Sequence, residues 1–294
     1  MRTLEYLREL PEVFWPPCVV ALCLVPLCSV LSVIVCLKRL AFIGQGISHA
    51  GFGGIGVAAV LGLVGTGLTA SQTVAQFAVV VGFCAASAVV VGVLSGRGRP
   101  GGGAGTGGPA GGADTAIGIV LVASMALGAV LVHVSSSNFA WESFLFGYLL
   151  GKGWADVWVA LSASAGVLGA LWWARRPLLF WAFDEPSAEA FGVRARGVRV
   201  GLMILLALAT VTTMKLAGVV MASALLVLPG ATALLMSARL GAVMWASVGV
   251  ALVGVVGGLV LSFEANWPPG PAIVTVLTVE YLAARVVSGV RGGA

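Results

Sequence analysis

An all-α polytopic membrane protein is the fold class predicted here, and three observations predict it. Of 294 residues, 60% are hydrophobic and 9% charged, whereas a soluble domain carries roughly a quarter charged residues. The apolar residues form continuous runs near the length that crosses a hydrocarbon core as a helix, not the alternating pattern of barrel strands. Lys and Arg gather in every second connection, as in multi-pass proteins with basic residues held on one side.

The elements follow in order. Leu4, Leu7 and Leu10 in the charged N-terminal stretch predict a short interfacial helix stopped by Pro11, and no cleavable signal peptide. Windows long enough to span lie at 17–37, 47–66, 72–94, 115–134, 154–174, 197–214, 217–236, 240–262 and 271–288. The sixth and seventh are separated only by MKLAG, so a broken or re-entrant helix there lowers the count from nine to eight. Residues 1–294 read as one transmembrane domain. With nine spans, Lys38, Arg39, Arg97, Arg99, Arg175, Arg176, Arg194, Arg196, Arg199, Arg239, Arg285 and Arg291 fall on one side, which places the N-terminus outside and the C-terminus in the cytoplasm. The net charge of +5 is therefore a topology signal and not a nucleic-acid footprint.

Two cytoplasmic connections differ in character. Residues 95–114 are Gly-rich and predicted to be flexible. They lack the Gly-Lys-Ser/Thr ending of a phosphate-binding loop, as does the segment 147–154, so the chain has no ATP site of its own. The loop 175–200 carries a short helix near 183–193. There Asp184 can act as N-cap, Pro186 suits the first turn, Glu185 and Glu189 favour the positive end of the dipole, and Gly192 ends it. An acidic helix bracketed by arginines is either a solvated connector or a docking element.

Few residues can carry chemistry. Gln45, His49, Gly53 and Gly56 share one helix face with Phe52, and Ser48 lies beside His49. Polar groups in the hydrocarbon region are costly unless partnered, and they favour an interior path. Imidazole is a ligand for zinc, manganese and iron, or simply a hydrogen-bonding group between helices. Glu280 is an intramembrane carboxylate, with Arg285 near enough in sequence to suggest an ion pair. His133, at the end of a span, reads as interfacial, and Trp141, Trp154, Trp158, Trp172, Trp173 and Trp181 as aromatic belts. Cys18, Cys23, Cys28, Cys36 and Cys84 form no metal motif and read as packing residues. In 214–237, Gly218, Pro229 and Gly230 interrupt the helix, while Ser223 and Thr232 can satisfy freed backbone groups; discontinuous helices often line transport paths.

Three blocks carry a family resemblance: LKRLAFIGQGISHAGFGGIGVA, FDEPSAEAFGV and MKLAGVVMASALLVLPGATA, supported by DTAIGIVLVASMALG and PPGPAIV in the same order. The sequence resembles the permease subunits of bacterial ABC importers for zinc, manganese and iron, the ABC-3 family. The resemblance implies a fold similar to the vitamin B12 importer permeases and a place in the bacterial inner membrane. It implies a second permease copy (the same chain or a paralogue), a cytoplasmic ATPase that hydrolyses ATP, and an extracytoplasmic metal-binding protein. No permanently bound cofactor is expected; a divalent metal is the cargo. His49, with Gln45, Ser48 and Glu280, would lie on the metal path. Asp184, Glu185, Ala188, Glu189, Phe191 and Gly192 would form the coupling helix for the ATPase. Two departures stand out: Gln45 replaces the family's aspartate, and Tyr148 replaces an acid often found after L-F-G. The alternatives from other classes are an ABC permease for a metal chelate or siderophore and an ion-gradient-driven carrier. An intramembrane enzyme lacks any HExxH or GxSxG support.

Overall fold

The computed structural model describes residues 11–38, 40–64, 69–95, 112–135 and 141–292. The described residues form helices and connections, without a strand. We number the helices α1 Pro11–Leu37, α2 Ala41–Val60, α3 Ala70–Ser95, α4 Gly112–Val134, α5 Trp141–Phe146, α6 Trp154–Trp173 and α7 Arg175–Phe183. They continue as α8 Glu185–Ala190, α9 Ala195–Ala217, α10 Val219–Leu225, α11 Leu228–Met236, α12 Leu240–Ala265 and α13 Pro269–Gly292. A 3-10 turn, Leu149–Gly151, lies between α5 and α6. Among the described residues, eight stretches are long and apolar enough to cross a membrane, with 219–236 taken as one. The helix α2 has 20 residues but is not among them; Gln45, Ser48, His49 and its glycines lower its hydropathy.

Several boundaries differ from expectation. The helix α1 already includes Pro11, ahead of the window expected from 17, because proline needs no N–H partner in a helix's first turn. The interfacial helix expected over the first ten residues lies outside the described residues. The Gly-rich loop is shorter than 95–114: α3 runs through Ser95 and α4 begins at Gly112, while 96–111 lie outside the described residues.

The chain divides into two compact units. The first comprises residues up to 41, 140–193 and 212 onward. Its centre is α1, where Val20, Leu24, Leu27, Leu31 and Val35 are fully buried. Polar side chains fasten other helices to the α1 backbone. Ser164 Oγ of α6 donates to the Cys23 carbonyl at 2.8 Å, and Ser247 Oγ of α12 donates to the Ser29 carbonyl at 3.0 Å. Between apolar helices in lipid there is little hydrophobic drive to associate, so such bonds and close packing hold the bundle. In the same unit, α12 and α13 pack through glycine: a Cβ on Gly258 would run into the Ile273 backbone.

The seventh expected span is broken twice. Gly218, at φ +90° and ψ 164°, separates α9 from α10, and Leu226 and Val227 separate α10 from α11. A side chain at Gly218 would run into the Phe146–Gly147 backbone, and one at Gly147 (φ +73°) into Ala217. Gly270 approaches the same Phe146 and Ala217 carbonyls. Here three chain segments touch backbone to backbone. The second break is capped from outside: Gly230 N–H of α11 donates to Ser32 Oγ of α1 at 2.8 Å, and Ser32 Oγ donates to the Val227 carbonyl at 3.1 Å. Ser223 and Thr232 do not serve the break as expected. Their hydroxyls bond carbonyls of their own helices, Val220 and Leu228, because a short hydroxyl reaches the preceding turn first.

The second unit comprises 42–139 and 194–211. It contains most of α2, with α3, α4 and the first part of α9. On α2, Gly54 packs against α3 at Val80, Gly53 against Phe83 and the Ser124 carbonyl, and Gly56 against the Gly128 backbone of α4. These contacts leave no room for a Cβ, so the glycine stripe lets α3 and α4 approach closely.

Candidate functional site

The first candidate site lies on α2. Its polar face changes character along the helix: Gln45 is exposed, His49 half-buried, and Phe52, Gly53 and Gly56 are buried. The face therefore opens at its polar end and closes where glycines admit α3 and α4. Ser48 is buried, and its hydroxyl donates to the Gln45 carbonyl at 2.9 Å. That bond leaves the hydroxyl proton committed to its own helix. His49 Nδ1 is buried and has no hydrogen-bond partner among the described residues. An imidazole nitrogen so placed retains an unused donor or acceptor position. No group of three or more His, Cys, Asp or Glu side chains that could hold a metal is found among the described residues.

The second candidate is Glu280 on α13, in the first unit. Both carboxylate oxygens are buried and lack a hydrogen-bond partner among the described residues. The expected pairing with Arg285 is not made, since five residues turn a helix through about 140° and set the two side chains on different faces. Glu280 instead lines a cavity of about 650 Å³ with Thr232 and Leu235 of α11, Val250 of α12 and Ser288 of α13. Gln45, Ser48 and His49 belong to the second unit and Glu280 to the first.

The third element is α8. Asp184 is its N-cap, accepting from Ser187 N–H at 3.1 Å and from the Ser187 hydroxyl. These hydrogen bonds, assisted by the charge of Lys38, hold the Asp184 carboxyl below the usual carboxylate range. Pro186 stands in the first turn, and Gly192, at φ +84°, follows the last, with Val193 N–H closing on the Ala188 carbonyl at 2.9 Å. Ala188 is fully buried, Glu189 is exposed, and Phe191 is 81% exposed with its ring 5.8 Å from Phe180. The Glu185 side chain lies outside those described. The capped turn thus carries a large apolar ring outward.

Sequence reasoning missed α7, which seats this helix. Its Leu178 and Trp181 are buried, and Lys38 Nζ stands 3.9 Å from the centre of the Trp181 ring. Trp181 is thus not a belt residue: it packs inward beneath a cation from the end of α1. Trp158, Trp172 and Trp173 are exposed as belts require, and His133 is exposed at the end of α4. Sequence reasoning also missed Ser32, whose only signal was a small polar residue in an apolar span awaiting a Pro-Gly break elsewhere.

Comparison with known proteins was made with this geometry in hand. The family model described as the ABC 3 transport family matches residues 12–288. The manganese transport system membrane protein MntC of Halalkalibacterium halodurans is 30% identical over 90% of this chain and 84% of its own. The manganese transport system membrane protein MntB of Synechocystis is 31% identical over 88% of this chain and 78% of its own. Among solved structures, PsaBC from Streptococcus pneumoniae in complex with Fab superposes with a TM-score of 0.78, at 25% identity, over 96% of this chain and 93% of that one.

Proposed function

The chain belongs to the ABC 3 transport family, and we propose from that premise that it carries a divalent transition metal inward as the permease subunit of an ATP-driven importer. The observation that carries this is the match along nearly the whole chain to proteins named as manganese transport system membrane proteins. Manganese is accordingly the first cargo to test, with zinc and ferrous iron beside it. The chain is a multi-pass protein of the bacterial inner membrane. In this reading the two units work as one permease domain, paired with a second permease copy and served outside by a metal-binding protein.

ATP is hydrolysed by a separate cytoplasmic subunit, and α8 is the element that docks it. The capped turn presents Phe191 and Glu189 outward, while Ala188 anchors the helix inward. The polar face of α2 forms part of the metal path. His49 offers one neutral nitrogen and Gln45 one amide oxygen, a weaker set for a hard cation than a carboxylate would give. A site of this strength holds the ion briefly, which suits passage. Glu280 supplies a carboxyl group elsewhere on the path.

The test is uptake of manganese, zinc and ferrous iron by proteoliposomes holding the full complex with its ATPase. His49→Ala should abolish uptake while membrane insertion and ATPase association stay near wild type. Transport that merely tracks the amount of folded protein would remove His49 from the path.

A further inference from the structure

A groove of about 400 Å³ lies within the first unit, between α1, α6, α7 and α12. Its floor is hydrocarbon: Val30 and Ile34 of α1, Leu168 and Leu171 of α6, Met244 and Val248 of α12. Its rim is different. Trp172 and Trp245 line it while remaining 68% and 80% exposed. Arg175 also lines it, with its guanidinium 4.0 Å from the centre of the Trp172 ring. Arg176 follows on α7, and Arg239 precedes the first turn of α12; both are exposed.

The placement of charge is polarised. The groove uses the C-terminal part of α1, the C-terminal part of α6 and the N-terminal part of α12. Arg175, Arg176 and Arg239 sit just beyond those ends, so cations collect at one mouth and the length of the slot stays apolar. By the distribution of basic residues, this mouth faces the cytoplasm. A water-soluble ligand would leave its polar groups unmet along such a floor. A molecule with a hydrocarbon tail and an anionic head meets both parts. The stacked Arg175 keeps its planar donors free for an anion while its charge rests on the indole face.

We propose that this groove holds an acyl chain of an anionic phospholipid, with the lipid phosphate on Arg175, Arg176 and Arg239 and the glycerol region between Trp172 and Trp245. The site is separate from the cargo path, and the proposal does not depend on which metal is carried.

The test uses the full permease–ATPase complex in nanodiscs of phosphatidylcholine. Into these is titrated, over the same series of mole fractions, either dibrominated phosphatidylglycerol or dibrominated phosphatidylcholine. Bromine on the acyl chain quenches nearby indoles. The part of the signal belonging to the groove is the difference between wild type and the Trp172→Phe/Trp245→Phe variant. Brominated phosphatidylglycerol should quench that part at concentrations at least about fivefold lower than brominated phosphatidylcholine, the ratio a single arginine at the headgroup would already give. The preference should persist in Arg175→Lys/Arg176→Lys and vanish in Arg175→Gln/Arg176→Gln/Arg239→Gln. Soluble glycerol phosphate should not compete, since it lacks the chain that fills the slot. Equal quenching by the two lipids in wild type overturns the proposal without any arginine variant. So does a preference that survives loss of all three arginines, competition by glycerol phosphate, or a disulfide between two permease copies formed through Val248→Cys.

Discussion

Replacing Ser32 by alanine isolates the device that holds the broken span. Val227, the residue before α11, makes no side-chain cap, and Pro229 has no N–H to satisfy. The Gly230 N–H of that turn is a buried donor that bonds to Ser32 Oγ, on a side chain with no exposed surface. Alanine leaves this donor without a partner in a dry site. An orphaned buried amide costs about 1–3 kcal/mol, loss of a helix cap about 0.5–2 kcal/mol, and an interhelical hydrogen bond in a membrane about 0.6 kcal/mol on average. The Val227 carbonyl loses less, because it keeps Ala231 N–H at 3.0 Å and Cys36 Sγ–H at 3.5 Å. Ser32→Ala should therefore destabilise the protein by about 1–2 kcal/mol. Cys36→Ala removes only a weak donor from a carbonyl that retains two others and should cost less than about 0.5 kcal/mol. Reversible denaturation of the purified chain in mixed micelles measures both. A Ser32→Ala loss no greater than that of Cys36→Ala would refute the capping argument.

Three further outcomes follow from the geometry. Gly218→Ala should cost roughly 2–5 kcal/mol, from a backbone region open only to glycine together with a Cβ set against the Phe146 backbone; a melting temperature equal to wild type would contradict this. Asp184→Ala should lower hydrogen-exchange protection of Ser187 N–H about fivefold. Because the Asp184 pKa is depressed on folding, the wild-type cap holds at pH values above the usual carboxylate range. It is lost as pH falls through the lowered folded value, so a cap that weakens already between pH 8 and 5 would be wrong in sign. Gln45→Asp adds a hard charged ligand and should lower the apparent KM for manganese, with a lower maximal rate; unchanged kinetics and selectivity across manganese, zinc and iron would detach Gln45 from the cargo.

What the sequence made legible was local. The capping of α8 by Asp184, its proline and its stop at Gly192 could be read in a row, since each acts on neighbours within one turn. The long spans were equally plain, because twenty apolar residues have few alternatives in lipid. Other features needed distance. The second span was expected from residue 47, after Gln45, yet the helix begins at Ala41. In a membrane, satisfying backbone groups outweighs the polarity of one side chain. Windows of span length also blur α5 and α7, which have six and nine residues. Trp181 shows the limit of composition: an indole near a run of arginines reads as a belt, and only the placement of Lys38 and α7 turns it inward. Ser32 and Gly230 are 198 residues apart, and no local pattern links them.

The junction of Phe146–Gly147, Ala217–Gly218 and Gly270 has a consequence for how the protein can change over generations. Where side chain meets side chain, an enlarged residue can be offset by a smaller one opposite. Here the opposing residues are glycines or main-chain atoms, so nothing smaller remains to substitute. A lineage that acquires a side chain at Gly218 has no contacting second-site suppressor available and can recover by reversion or by altering the length of the segments that meet. Selection for suppressors of Gly218→Ala should therefore return revertants, or insertions and deletions near 141–153, and not point substitutions at the contact.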